Sequence, residues 1–125
     1  MSVVLVVDDD FDLLAALSET LTDEAWEVLA VGSASAAVRA ARSGRVDVVL
    51  TDVMMPFGDG QTFESTFRAD PVFKDVPFAF MSGASKYVRG LHDARVLVKP
   101  FETEEVVAML KSCLPNDDSG DQTGV

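Results

Sequence analysis

The sequence predicts a three-layer α/β domain, a doubly wound parallel sheet of five strands with helices on both faces. Two observations carry this reading. Val3 to Val7, Val48 to Thr51 and Pro77 to Met81 are short runs of aliphatic and aromatic residues without polar alternation. Such runs suit strands covered on both sides, which is the habit of parallel sheets. They also alternate with stretches of helical spacing, and alternating strands and helices close into a parallel sheet through right-handed crossovers.

Val3 to Val7 is the first strand, followed at once by Asp8, Asp9 and Asp10. The spacing then changes to Leu13, Leu14, Leu17 and Leu21, an amphipathic helix with Asp10 as its N-cap and Asp12 in the first turn, fading around Asp23 to Ala25. Glu27 to Val31 is a weaker strand. Gly32 to Ser35 supplies turn and cap residues, Ala36 to Arg42 an alanine-rich helix, and Gly44 fits the position just past its end. Val46 to Thr51 is the third strand, delivering Asp52 to its carboxyl end before a loop at Pro56, Gly58 and Gly60.

Gln61 to Ala69 has helical spacing, with Phe63 and Phe67 on one face, and stops before Pro71. Pro77 to Met81 is the fourth strand and ends at Ser82-Gly83. Ala84 to Asp93 has room for a short helix interrupted by Gly90, and Arg95 to Val98 is a strand ending in Lys99-Pro100-Phe101. Thr103 is positioned to cap a last helix, with Glu104 and Glu105 at the positive end of its dipole and Lys111 at the negative end. Val106, Leu110, Cys113 and Leu114 give it an apolar stripe. Residues 1–114 thus read as one domain, and 115–125, polar and without apolar period, as a disordered acidic tail.

The 125 residues leave no room for a second folded domain. A formal charge of -11 argues against direct binding to nucleic acid or an anionic membrane, both of which need clustered Lys and Arg. The single cysteine, Cys113, excludes an internal disulfide and a multi-cysteine metal site. With no apolar run of membrane-spanning length and no leader pattern, a cytoplasmic protein is expected.

With the strand ends at one edge, Asp8, Asp9, Asp52, Ser82 and Lys99 converge there. Crowded carboxylates repel one another unless a cation neutralises them, and a hard divalent ion such as Mg2+ takes carboxylate and phosphoryl oxygens together. A hydroxyl and an ammonium beside them would hold the remaining oxygens of a phosphoryl group, for which Asp52 is the candidate nucleophile. No glycine-rich nucleotide loop is present to hold a donor. Taken singly, each residue has a plainer role: Asp8 to Asp10 as a solvated loop and cap, Asp52 as a turn residue, Ser82 as a turn hydroxyl, Lys99 as an exposed strand end. Cys113 reads as core, and His92, without a histidine or cysteine partner, as a solvated residue.

Val6-Val7-Asp8-Asp9, Thr51-Asp52-Val53-Met54-Met55-Pro56 with Gly60, Met81-Ser82-Gly83-Ala84 and Val98-Lys99-Pro100-Phe101 stand in order, each at the end of an apolar run. Together, over about residues 3 to 114, they resemble the receiver domain of bacterial two-component response regulators, of the chemotaxis-regulator kind. The resemblance implies a flavodoxin-like sheet of strand order 2-1-3-4-5. It also implies that Asp52 takes a phosphoryl group from a sensor histidine kinase or phosphotransfer protein and that a downstream protein reads the change. By the same resemblance Asp9 ligates Mg2+ directly, Asp8 assists through water, the Met54 backbone carbonyl completes the site, and Ser82 and Lys99 contact the phosphoryl group.

Receivers that signal by swinging an aromatic ring carry it three residues before the lysine, where Val96 stands here, and the Ser82 to Lys99 stretch is several residues shorter than is usual. The output is therefore expected as a change in order over Gly83 to Ala94, with the last helix as the rest of the partner surface.

The reading is a phosphorylatable switch with no fused output domain, not an enzyme beyond slow self-dephosphorylation. Three alternatives compete. A receiver-like interaction module would take no phosphate. A phosphatase of the haloacid-dehalogenase type would want an aspartate two residues after the nucleophile, where Met54 stands. A flavin carrier would need hydroxyls and glycines in the first loop, where the chain has three aspartates.

Overall fold

A computed structural model describes residues 1–55, 58–83 and 95–114 of the chain. In chain order its elements are β1 (Val3–Val7), α1 (Phe11–Asp23), β2 (Glu27–Val31), α2 (Ala34–Arg42), β3 (Val48–Asp52), β4 (Met54–Met55), β5 (Gly58–Asp59), α3 (Gly60–Arg68), β6 (Phe78–Ser82), β7 (Arg95–Val98) and α4 (Thr103–Cys113). The helix expected over Ala84 to Asp93, His92, nearly all of the Gly83 to Ala94 segment and the 115–125 tail lie outside the described residues.

Five strands form one parallel sheet in the order β2-β1-β3-β6-β7, which is 2-1-3-4-5 when only the strands of this sheet are counted. The runs without polar alternation occupy its middle: β1, β3 and β6 are buried throughout, whereas β2, with Glu27 and Ala30 exposed, lies at an edge. Period-two alternation divides the side chains between two cores. Val4 and Val6 of β1 pack with Leu14, Leu17 and Leu21 of α1 and with Val106 and Leu110 of α4. On the other face, Leu5 and Val7 pack with Ala37 and Ala41 of α2 and with Phe63 and Phe67 of α3. Burying a large apolar side chain contributes roughly 1.5–3 kcal/mol, so a few fix α1, α3 and α4 to their faces, whereas α2 sits close to the sheet through the small Ala37 and Ala41.

The α3 side is aromatic. Phe67 stacks on Phe73 with ring centroids 4.5 Å apart and meets Phe63 and Phe78 edge-on at 5.5 and 5.6 Å. Arg68 covers the outside of this cluster, its guanidinium 5.0 Å from the Phe78 ring centre while Nε donates to Glu64 Oε2 at 2.8 Å.

Helix ends account for most departures from the sequence reading. Asp10 is the N-cap of α1, as predicted, its side chain accepting from the Asp12 and Leu13 N–H groups. The other end of α1 closes through Trp26 N–H donating to Leu21 O at 2.9 Å and Ala25 N–H to Thr22 O at 3.0 Å, with Ala25 at φ 70°. Trp26 and Leu21 share one core, the apolar contact that accompanies this closure. The second helix starts two residues earlier than predicted, because Ser33 caps it. Thr103 is not the cap of α4; it is the first helical residue. The cap is Glu102, whose N–H is taken by the Glu105 carboxylate at 2.7 Å, an interaction that Glu at the third helical position makes whatever residue precedes it. The loop predicted after Asp52 contains a short antiparallel pair, Met54 opposite Asp59 and Met55 opposite Gly58, and Gly60 opens α3.

The strand order reverses direction between β1 and β3, since β1 continues outward to β2 and β3 outward to β6 and β7. In open parallel sheets the crevice at the carboxyl ends of such strands is where ligands are held. Asp8 and Asp52 stand at those ends.

Candidate functional site

Asp8 follows β1 directly and prolongs its pairing, donating its N–H to Val31 O at 3.2 Å. Its side chain is fully buried and held from two sides. Oδ1 accepts from the Asp10 N–H at 2.9 Å, and Oδ2 accepts from Lys99 Nζ at 3.1 Å. Asp10 thus works in two directions: its carboxylate caps α1 while its own N–H orients Asp8. The sequence reading assigned only the first role. Asp9, between them, is exposed.

β3 delivers Asp52, of which 8% is exposed. The peptide group just after it is held at both ends: the Asp52 carbonyl accepts from Thr51 Oγ1 at 3.1 Å, and the Val53 N–H donates to Met81 O at 2.9 Å. β6 ends in Ser82, buried and one residue beyond the Asp52–Met81 pair. The Ser82 carbonyl accepts from the Lys99 N–H at 2.7 Å, so the strand end carrying the hydroxyl positions the backbone of the lysine. The Lys99–Pro100 peptide is cis.

Lys99 Nζ reaches Asp52 Oδ2 at 3.5 Å as well as Asp8, with 27% of its side chain exposed. Burial works to lower its pKa, but the hydrogen bond to Asp8 and the charges of Asp52 and Asp8 outweigh that effect, and the ammonium is raised above its ordinary value.

One carboxylate oxygen from each of Asp8, Asp9 and Asp52 lies within 4.8 Å of the other two. One ammonium cannot balance three carboxylates, and the donors are hard oxygens without nitrogen or sulfur. That chemistry fits Mg2+ and lacks the nitrogen or sulfur donors that a softer metal takes. Asp8, with both oxygens already engaged, has least freedom to approach an ion directly; Asp9, exposed, has most. Asp8, Asp9, Asp52 and Lys99 are therefore brought together, Ser82 is placed on the same edge, and Met54 follows in the β4–β5 pair. Thr51 was not singled out from sequence, although a lone hydroxyl inside an apolar strand run was the signal for it.

Residues 4–111 match the family described as response regulator receiver domain. The transcriptional regulatory protein PrrA of Mycobacterium tuberculosis is 38% identical over 116 residues, covering 89% of this chain and 49% of that protein. The chain spans about half the length of the curated relatives it matches. Among solved structures, chemotaxis protein CheY4 of Vibrio cholerae is similar at a TM-score of 0.83 with 28% identity, covering 91% of this chain and 99% of that one. Response regulator TrrA of Thermotoga maritima, solved in complex with Mg(2+)-BeF, is similar at a TM-score of 0.80 with 28% identity, covering 91% of this chain and 100% of that one. Among the described residues no helix is long and apolar enough to cross a membrane.

Proposed function

The chain belongs to the response regulator receiver domain family, and from that premise we propose that it is a cytoplasmic switch that takes a phosphoryl group on Asp52. The donor is a phosphorylated histidine of a sensor kinase or phosphotransfer protein. The observation that carries the reading is Lys99 Nζ set between Asp8 and Asp52, 3.1 and 3.5 Å away, with the Asp9 carboxylate in the same cluster.

An Asp52 carboxylate oxygen attacks phosphorus in line with the donor nitrogen. A P–O bond forms as the P–N bond breaks, and the electron pair leaves on the imidazole, which takes up a proton. Asp8 and Asp9, with Asp52 and the Met54 carbonyl, would hold Mg2+. That ion, when bound, supplies positive charge toward the phosphoryl oxygens. Lys99 is already charged and hydrogen-bonded to Asp8, so it can turn toward a phosphoryl oxygen on Asp52 without first gaining a proton. Ser82 offers a hydroxyl to another oxygen. The phosphorylated state changes how a downstream protein binds, and self-dephosphorylation is the slow attack of water on the same phosphorus, which breaks the bond to Asp52, restores the carboxylate and releases inorganic phosphate.

The experiment is to incubate the protein with magnesium and acetyl phosphate and weigh it. A gain of one phosphoryl group, removed by hydroxylamine and absent in Asp52→Asn, is the expected result. No gain in mass would favour an interaction module that takes no phosphate, and a hydroxylamine-stable phosphate on Ser82 or Thr51 would overturn the assignment of Asp52.

A further inference from the structure

Thr51 is fully buried, and its neighbours two residues away on the same strand face, Val49 and Val53, belong to the apolar core against α2 and α3. A valine would fill that place equally well, and burying a hydroxyl is unfavourable unless it is hydrogen-bonded. Its partner is the Asp52 carbonyl, 3.1 Å from Oγ1. In the parallel ladder the N–H and C=O of successive residues turn to opposite neighbours. Val53 N–H turns toward β6, and the Asp52 carbonyl therefore turns toward the β1 side, beyond the last paired residues, Val7 and Thr51. The side chain of Thr51 supplies a donor there.

We propose that Thr51 is a positioning residue for the phosphoryl acceptor. Its hydroxyl and the Met81 carbonyl clamp the two ends of the Asp52–Val53 peptide, fixing both the direction in which the Asp52 carboxylate faces Lys99 and the path of the chain into Met54. A β-branched hydroxyl suits the task, because its χ1 is restricted in a strand. The inference rests on the reading of Asp52 as acceptor, yet the clamp itself has a readout that does not depend on it.

The test compares Thr51→Val, which keeps the shape and removes the hydroxyl, with Thr51→Ser, which keeps the hydroxyl. Three quantities are measured: the rate of phosphoryl uptake from acetyl phosphate with magnesium, hydrogen exchange of the Val53 amide, and the melting temperature. Thr51→Val is expected to lower the uptake rate by about fivefold or more, the worth of one hydrogen bond, and to speed Val53 exchange. Its melting temperature should stay within a few degrees of wild type, and Thr51→Ser should restore rate and protection together. Wild-type rate and protection in Thr51→Val would overturn the proposal. So would a Thr51→Ser variant as slow as Thr51→Val, which would assign the effect to the lost methyl. If the wild-type protein takes no phosphoryl group, the acceptor reading fails, and Val53 exchange still decides whether the clamp exists.

Discussion

Lys99 Nζ lies 3.1 Å from Asp8 Oδ2, tying the end of β7 to the end of β1 although two strands, β3 and β6, stand between them in the sheet. The aspartate is the more deeply buried partner, with 1% of its side chain exposed against 27% for the lysine. Removing the lysine therefore leaves a buried carboxylate without its cation. Lys99→Met, which keeps the length of the side chain, should destabilise the fold by about 1–3 kcal/mol, less than for a fully buried pair because the lysine is partly solvated. Chemical denaturation measures it, and an unchanged midpoint and slope would show that the pair contributes nothing.

The same pair sets a pH dependence. The folded-state pKa of Lys99 is raised above its ordinary value of 10.5. A raised pKa means that the contribution is fully present below the unfolded-state value and is lost as pH rises through the folded-state value. The stability difference between wild type and Lys99→Met should hence be level near neutral pH and shrink as pH climbs above about 10.5. Comparing the two proteins cancels the titration of other groups. A difference that grows in alkali would contradict the placement of the ammonium.

Magnesium should raise the melting temperature, because it relieves repulsion among Asp8, Asp9 and Asp52 that folding creates. One site gains about 2.7 kcal/mol when the free ion is at 100 times its dissociation constant. Asp9→Asn, at an exposed position, should reduce this gain while costing little stability without the ion. Coincident melts with and without magnesium would refute the metal site.

Ala25 gives a prediction remote from the site. It holds φ 70°, the left-handed region in which a side chain is strained by roughly 1–2 kcal/mol. Ala25→Gly relieves that strain and gives back part of it through the freer unfolded chain, for a net gain of about 0.5–1 kcal/mol. Thermal melts should rise by a few degrees with magnesium binding unchanged. A lower melting temperature would show that packing beside Trp26 outweighs backbone strain.

The middle of the sheet was legible because burial on both faces leaves a plain mark in sequence, and Val3–Val7 matches its predicted bounds. The edge strands Glu27–Val31 and Arg95–Val98, less buried, also match theirs, set off by the turn residues and helical spacing around them. Asp8, Asp9, Asp52 and Lys99 were legible as a group because each terminates an apolar run. Apart from the Asp10 cap of α1, the hydrogen bonds between backbone and side chain that shape the site and the last helix were not. The Asp10 N–H on Asp8, the Thr51 hydroxyl on the Asp52 carbonyl and the Glu105 carboxylate on the Glu102 N–H depend on local dihedral angles, which composition and period do not encode. The Met54–Met55 and Gly58–Asp59 pair escaped for a related reason, since two residues per strand are too few to show alternation.

The distance along the chain from Asp8 to Lys99 has a consequence for how the molecule is made. A chain emerging from the ribosome carries Asp8 and Asp52 well before Lys99, and β7 can join the sheet only when most of the domain has been synthesised. Contacts so far apart in sequence are late to close. Until that last strand docks, the three carboxylates face one another without their ammonium, and the acceptor lacks the group that orients it. A nascent or half-folded copy would thus lack the charge arrangement on which the proposed phosphoryl transfer rests.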